Sequence, residues 1–69
     1  MILKGKSLKG KNRIREHGEF WFIEFEADTV QFDPRPGPWA LVVPGGPANR
    51  EHSRWIHLKE DKDFIVVSN

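Results

Sequence analysis

The sequence contains no cysteine and no apolar run of membrane-spanning length. The first absence excludes a disulfide framework, thiolate chemistry and cysteine zinc sites. The second excludes a transmembrane helix, which needs about 18 consecutive apolar residues. Small secreted domains usually offset a thin core with disulfides, so their lack here predicts a cytoplasmic protein. The opening Met1-Ile2-Leu3-Lys4-Gly5-Lys6 holds no apolar stretch of signal-peptide length. Uninterrupted helix signals are scarce as well. Pro34, Pro36, Pro38, Pro44 and Pro47 punctuate the middle of the chain, and a proline inside a helix costs about 3 kcal/mol.

What remains is 69 residues, read as a single small β-barrel domain over 1–69. A domain of this size buries only about 60 % of the surface its unfolded chain exposes, so its core is small. The apolar residues are largely β-branched or aromatic, which favours strands. Strands are expected at Lys11–Glu16, Glu19–Ala27, Thr29–Phe32, Trp39–Val43, Arg54–Leu58 and Phe64–Val67. His17-Gly18 reads as a hairpin turn, Asp33–Pro38 as a stiff loop, and Ala48–Ser53 as one short helical turn after Pro47. In Glu19–Ala27, Trp21, Ile23 and Phe25 alternate with Phe20, Phe22, Glu24 and Glu26. The expected core therefore holds Trp21, Phe25, Phe32 and Phe64. Five or six short strands with regular turns predict an all-β fold, a small antiparallel barrel with at most one short helical turn. The shape is similar to SH3-like and OB-like barrels. Many functions sit on such barrels, so the likeness carries none by itself.

The formal net charge of +1 conceals a split. Residues 1–15 carry Lys4, Lys6, Lys9, Lys11, Arg13 and Arg15 and no acid, or +6. Residues 16–69 carry five basic and ten acidic residues, or −5. Leu3-Lys4-Gly5-Lys6 also recurs as Leu8-Lys9-Gly10-Lys11. Residues 1–11 are thus a basic Gly/Lys arm or a first strand. A basic block can lie along a phosphate backbone, because each Lys or Arg that neutralises a phosphate releases counterions. The same block can instead solubilise the chain or dock on its own acidic body.

The aromatics add a second signal. Phe20 and Phe22 lie on the strand face opposite Trp21, and Trp39 sits beside Arg35. Exposed rings stack bases while Lys and Arg hold phosphates. Alternatively, Phe20 and Phe22 pack beneath Ile2, Leu3 and Leu8. The expected nucleic-acid site comprises Lys4, Lys6, Lys9, Lys11, Arg13, Arg15, Phe20, Phe22, Arg35, Trp39 and Arg54. Single-stranded or structured RNA is the favoured partner.

No enzyme or metal motif survives inspection. Gly5-Lys6-Ser7-Leu8-Lys9-Gly10-Lys11-Asn12 approaches a phosphate-binding P-loop, but Asn12 stands where Ser or Thr must hold Mg²⁺. His17, His52 and His57 lack ligand spacing; His17 reads as a turn residue and His57 as a surface side chain. Glu24 and Glu26 have the spacing of a solvated strand face. No catalytic residue, metal or cofactor is expected. The alternative function is a protein-interaction or self-associating module, such as a homodimer, in which an acidic body meets a basic partner.

Overall fold

A computed structural model of the chain describes residues 1–68. Five strands and one α-helix occur in the order β1 (Ile2–Gly5), α1 (Leu8–His17), β2 (Trp21–Ala27), β3 (Trp39–Pro44), β4 (Arg54–His57) and β5 (Phe64–Ser68). A 3-10 helix, Pro47–His52, connects β3 to β4. None of the helices is long and apolar enough to cross a membrane. The fold is β-rich and every strand pairing is antiparallel. β1 pairs with β5, and β2, β3 and β4 form a three-stranded sheet in that order. An Ile2–Phe20 bridge links the two sheets. It is reinforced by Leu3 N–H to Glu19 C=O (2.8 Å) and Trp21 N–H to Met1 C=O (2.8 Å). Among the described residues no strand ladder joins β4 to β5, so no closed barrel forms.

The main departure from the sequence reading is α1. It occupies the segment expected as arm, strand and hairpin turn. Ser7 caps it, its side chain accepting from Gly10 N–H at 3.0 Å. The helix ends at Gly18, whose φ of +86° suits glycine and whose N–H donates to Ile14 C=O at 2.7 Å. Between these stops lie Leu, Lys, Arg and Glu, all good helix formers, with Ile14 the sole β-branched residue. Leu8 and Ile14, the two apolar side chains of an otherwise polar helix, lie six positions apart on different faces and leave no periodic signature.

Gly10 costs the helix about 1 kcal/mol in propensity, yet the packing demands it. A Cβ there would collide with the Asp63 carbonyl. Gly10 and Ile14 thus share the inward face of α1. Ile14 packs on a core of Met1, Leu3, Trp21, Ala40, Val42, Ile56 and Phe64.

A bulge in β2 redistributes the aromatics. Trp21, Phe22 and Ile23 pair with Pro44, Val43 and Val42, but Phe25 pairs with Leu41, leaving Glu24 without a partner. A one-residue slip sends the following side chains to the other face. Trp21 and Ile23 therefore join Val42, Ala40 and Ile56 on the core side. Phe25 joins Phe22, Leu41, Val43 and Trp55 on the far side. Phe25 is 60 % exposed instead of buried.

Residues 29–32 form no strand. Val30 and Asp33 bridge a tight turn, and Phe32 is 66 % exposed. The proline-containing loop folds over the far face instead. Trp39 Nε1 donates to Arg35 C=O (3.0 Å), and Leu58 N–H donates to Pro38 C=O (2.9 Å).

Candidate nucleic-acid interface

The eleven residues singled out in the sequence divide into three groups. Lys4, Lys6, Lys9, Lys11 and Arg15 are exposed. Among the described residues no carboxylate comes within 4 Å of any of them. Lys4 projects from β1, Lys6 lies between β1 and α1, and the other three are on α1. Within the helix, Leu8, Lys11, Asn12 and Arg15 follow an i, i+3, i+4, i+7 spacing, so they share the outer face opposite Gly10 and Ile14. Lys11 and Arg15 are like charges at i, i+4, which destabilises a helix by a few tenths of a kcal/mol. Its first turn holds no acid to offset them.

The second group is basic but already engaged. Arg13 is half-buried, its Nη2 donating to His52 C=O (3.0 Å) and its guanidinium 5.9 Å from the Trp21 ring centroid. It fastens the 3-10 helix to α1. Arg35 grips Asp33 through Nε and Nη2 (3.1 and 3.0 Å), reaches Glu60 C=O (3.2 Å) and covers Trp39. Hydrogen bonds from Arg35 hold the Asp33 carboxyl below its ordinary range, and Asp33 raises the Arg35 guanidinium in turn. Arg54 pairs with Asp63, with Asp61 at 3.7 Å. Burial opposes ionisation of Asp63. The Ser7 hydroxyl and Arg54 outweigh it, so the carboxyl also lies below its ordinary range. Arg13, Arg35 and Arg54 are thus each held by internal partners, unlike the first group.

The aromatic group changes most. Trp39 is 2 % exposed, packed edge-on against His57 with ring centroids 4.9 Å apart. It offers no face to a base. Phe22 is half-buried beside Val43. Phe20, 49 % exposed, keeps an accessible ring and pairs with Ile2 on the strand that carries Lys4.

No protein-family model, curated protein or solved structure matches this chain. The chemistry must be read from its own side chains.

Two of the histidines, His17 and His57, are packed into the fold. His57 is buried, contrary to its expected surface position. Its Nδ1 accepts from Lys59 N–H (3.2 Å) and Glu60 N–H (3.0 Å), so Nε2 carries the proton and donates to Pro36 C=O (2.9 Å). His17 closes α1 instead of forming a hairpin turn, and its ring lies 4.7 Å from that of His52. Among the described residues no three His, Cys, Asp or Glu side chains are grouped to hold a metal ion.

An open cleft of about 430 Å³ lies on the far face of the three-stranded sheet. Phe25, Phe32 and Trp55 line it, with Ala27, Val30 and two uncharged polar residues, Thr29 and Gln31. Phe25 and Trp55 meet edge-to-face, with ring centroids 6.2 Å apart. The sequence reading placed Phe25 and Phe32 in the core and so missed this surface. The alternation of Trp55 with Ile56 was the one available signal.

Proposed function

We propose that the protein binds nucleic acid through its phosphate backbone, with Lys4, Lys6, Lys9, Lys11 and Arg15 as the gripping residues. One observation carries this reading: five exposed cations with no carboxylate partner among the described residues are concentrated on β1, α1 and the link between them. The helix keeps its Lys11–Arg15 repulsion, an arrangement that a polyanion relieves. Phe20, bridged to Ile2 at the start of the strand that carries Lys4, supplies one exposed ring for a single-stranded base. The reading assigns no catalytic step. We also read the curled order β5-β1-β2-β3-β4 as a small barrel left open between β4 and β5, with the Arg54–Asp63 pair spanning the gap.

The test is fluorescence anisotropy with labelled single-stranded RNA and duplex DNA of random sequence, at low salt and near 0.15 M, where the screening length is about 8 Å. Binding should weaken steeply with salt, because counterion release dominates phosphate contacts. Absence of binding at low salt would overturn the reading.

A further inference from the structure

Cations alone recognise the phosphate backbone, which single and double strands share. A second surface carries a different chemistry. Lys4 and Ile65 are cross-strand partners in the β1–β5 ladder, so their side chains share one face. Their neighbours Leu3 and Phe64 point the other way, into the core. Ile2, two residues before Lys4 on β1, falls on the same outer face. It is bridged to Phe20, whose neighbour Trp21 is fully buried. Phe22 follows two residues after Phe20 and is half-buried. The outer face of β5, β1 and the start of β2 therefore holds Ile65, Lys4, Ile2, Phe20 and Phe22.

This face suits a flat, uncharged group beside a negative one. Phe20 is 49 % exposed and Ile65 51 %. Lys4 is diagonal to Phe20, a spacing of about 7–8 Å that a lysine side chain spans. None of the five residues is acidic, and Lys4 joins no ion pair among the described residues. The helix lies on the other side of β1. A Cβ on Gly5, which faces inward with Leu3, would meet the backbone of Gly10 and Lys11. The cations of α1 therefore belong to a separate surface. An unpaired base offers a flat π-face to a ring, and its phosphate offers the charge that Lys4 lacks a partner for. A duplex keeps its bases within the stack and presents only its backbone. A bilayer fits less well, because interfacial anchoring uses an amphipathic helix or a lipid chain instead of a pleated strand face.

We propose that this face is a stacking platform that selects unpaired over paired strands. Resting on the phosphate-binding reading, it takes a base of single-stranded DNA or RNA on the Phe20 ring, with Lys4 on the adjoining phosphate. The cations of α1 attract any phosphate backbone, and the platform adds the preference for a single strand.

The experiment is fluorescence anisotropy with three labelled probes of equal length: a mixed-sequence DNA strand, that strand annealed to its complement, and a strand with abasic sites in place of its bases. The intact chain should bind the base-bearing strand more tightly than the abasic one, although their charges match. Phe20→Ala should weaken binding of the base-bearing strand about tenfold and leave the abasic strand, the duplex and the salt slope unchanged. Lys11→Ala should weaken all three. Phe20→Leu keeps an apolar side chain beside Ile2 and loses the ring, so it should behave like the alanine variant, and it replaces that variant if circular dichroism shows the latter unfolded. A parent that binds abasic and base-bearing strands equally would overturn the platform and leave the phosphate reading standing. So would an equal loss on all three probes in a folded Phe20 variant. A Phe20→Ala protein that binds every probe like the parent would overturn it too. Gain of mass with concentration, or binding to phosphatidylserine vesicles, lost in that variant would then assign the face to a second copy or to lipid. Absence of binding to all three probes at low salt would overturn the phosphate reading and the platform with it.

Discussion

The Ser7 hydroxyl donates to Asp63 Oδ1 at 2.6 Å, joining residues 56 positions apart in the chain. Ser7 Oγ accepts from Gly10 N–H in the same geometry, so one side chain caps α1 and ties it to the turn before β5. The Asp63 carbonyl accepts from Lys6 N–H at 2.7 Å, and its carboxylate holds Arg54. Asp61 supports the turn through Oδ2, which accepts from Asp63 and Phe64 N–H (2.9 and 3.1 Å). Asp63 is therefore the point at which the basic helix, β4 and β5 are held together.

Removing that point should be costly. Asp63→Ala strips the Ser7 hydroxyl of its acceptor and leaves the largely buried Arg54 guanidinium with only the longer Asp61 contact at 3.7 Å. The expected loss is about 2–4 kcal/mol, read by urea unfolding of the variant beside the parent protein.

The same carboxyl sets an acid limit. Its folded-state pKa lies below the ordinary value, so its stabilisation is complete above the unfolded value of about 3.9. It is lost as pH falls through the lower folded value. Stability measured by thermal melts should drop below about pH 4. Asp63→Asn should be less stable at neutral pH and should fall less steeply in acid.

Gly10→Ala reverses the usual sign. Alanine is favoured over glycine by about 1 kcal/mol inside a helix, but here its methyl group meets the Asp63 backbone. The melting temperature should fall, and the α1 contact with the β5 turn should loosen. A rise in melting temperature would contradict the close approach.

Free and engaged cations should separate cleanly. Lys11→Ala and Arg15→Ala should weaken oligonucleotide binding, each lost phosphate contact reducing the logarithmic salt slope by about 0.9 for duplex DNA and about 0.7 for a single strand. They should leave folding intact or slightly improved, because the i, i+4 repulsion goes. Arg54→Ala should lower stability and leave the salt slope unchanged. The readouts are a salt titration by anisotropy and a urea melt.

Trp39 is a folding residue. Trp39→Ala should cost about 3–5 kcal/mol, as for other large buried aromatics, a large share of the roughly 5–15 kcal/mol that holds a domain folded. Whatever fraction remains folded should bind oligonucleotides with the parent's salt slope. A stable variant with weakened binding would restore Trp39 to the interface.

Much of the fold was legible locally. The runs at Trp39–Pro44, Arg54–His57 and Phe64–Ser68 are rich in β-branched and aromatic residues, and they are strands. Pro47 begins a short 3-10 helix, close to the expected helical turn. Leu8–His17 was not legible as a helix, because its cap is completed by Asp63 and its packing rests on one glycine and one isoleucine. Phe25 was misplaced because alternation along Glu19–Ala27 carries no mark of the slip at Glu24. That slip depends on the register with β3.

The sequence by itself determined the β-rich character, the proline-marked loops and the division into a basic beginning and an acidic remainder. These follow from local propensity and composition, which need no partner. Tertiary structure decided that the basic segment is a helix over part of its length. It also decided that Lys4, Lys6, Lys9, Lys11 and Arg15 are exposed while Arg13, Arg35 and Arg54 are engaged, and that Trp39 is buried while Phe25, Phe32 and Trp55 line a cleft. The physical reason is common to all three. An ion pair, a cap and a strand register are each set by residues distant in the chain, and only the folded arrangement brings them within reach.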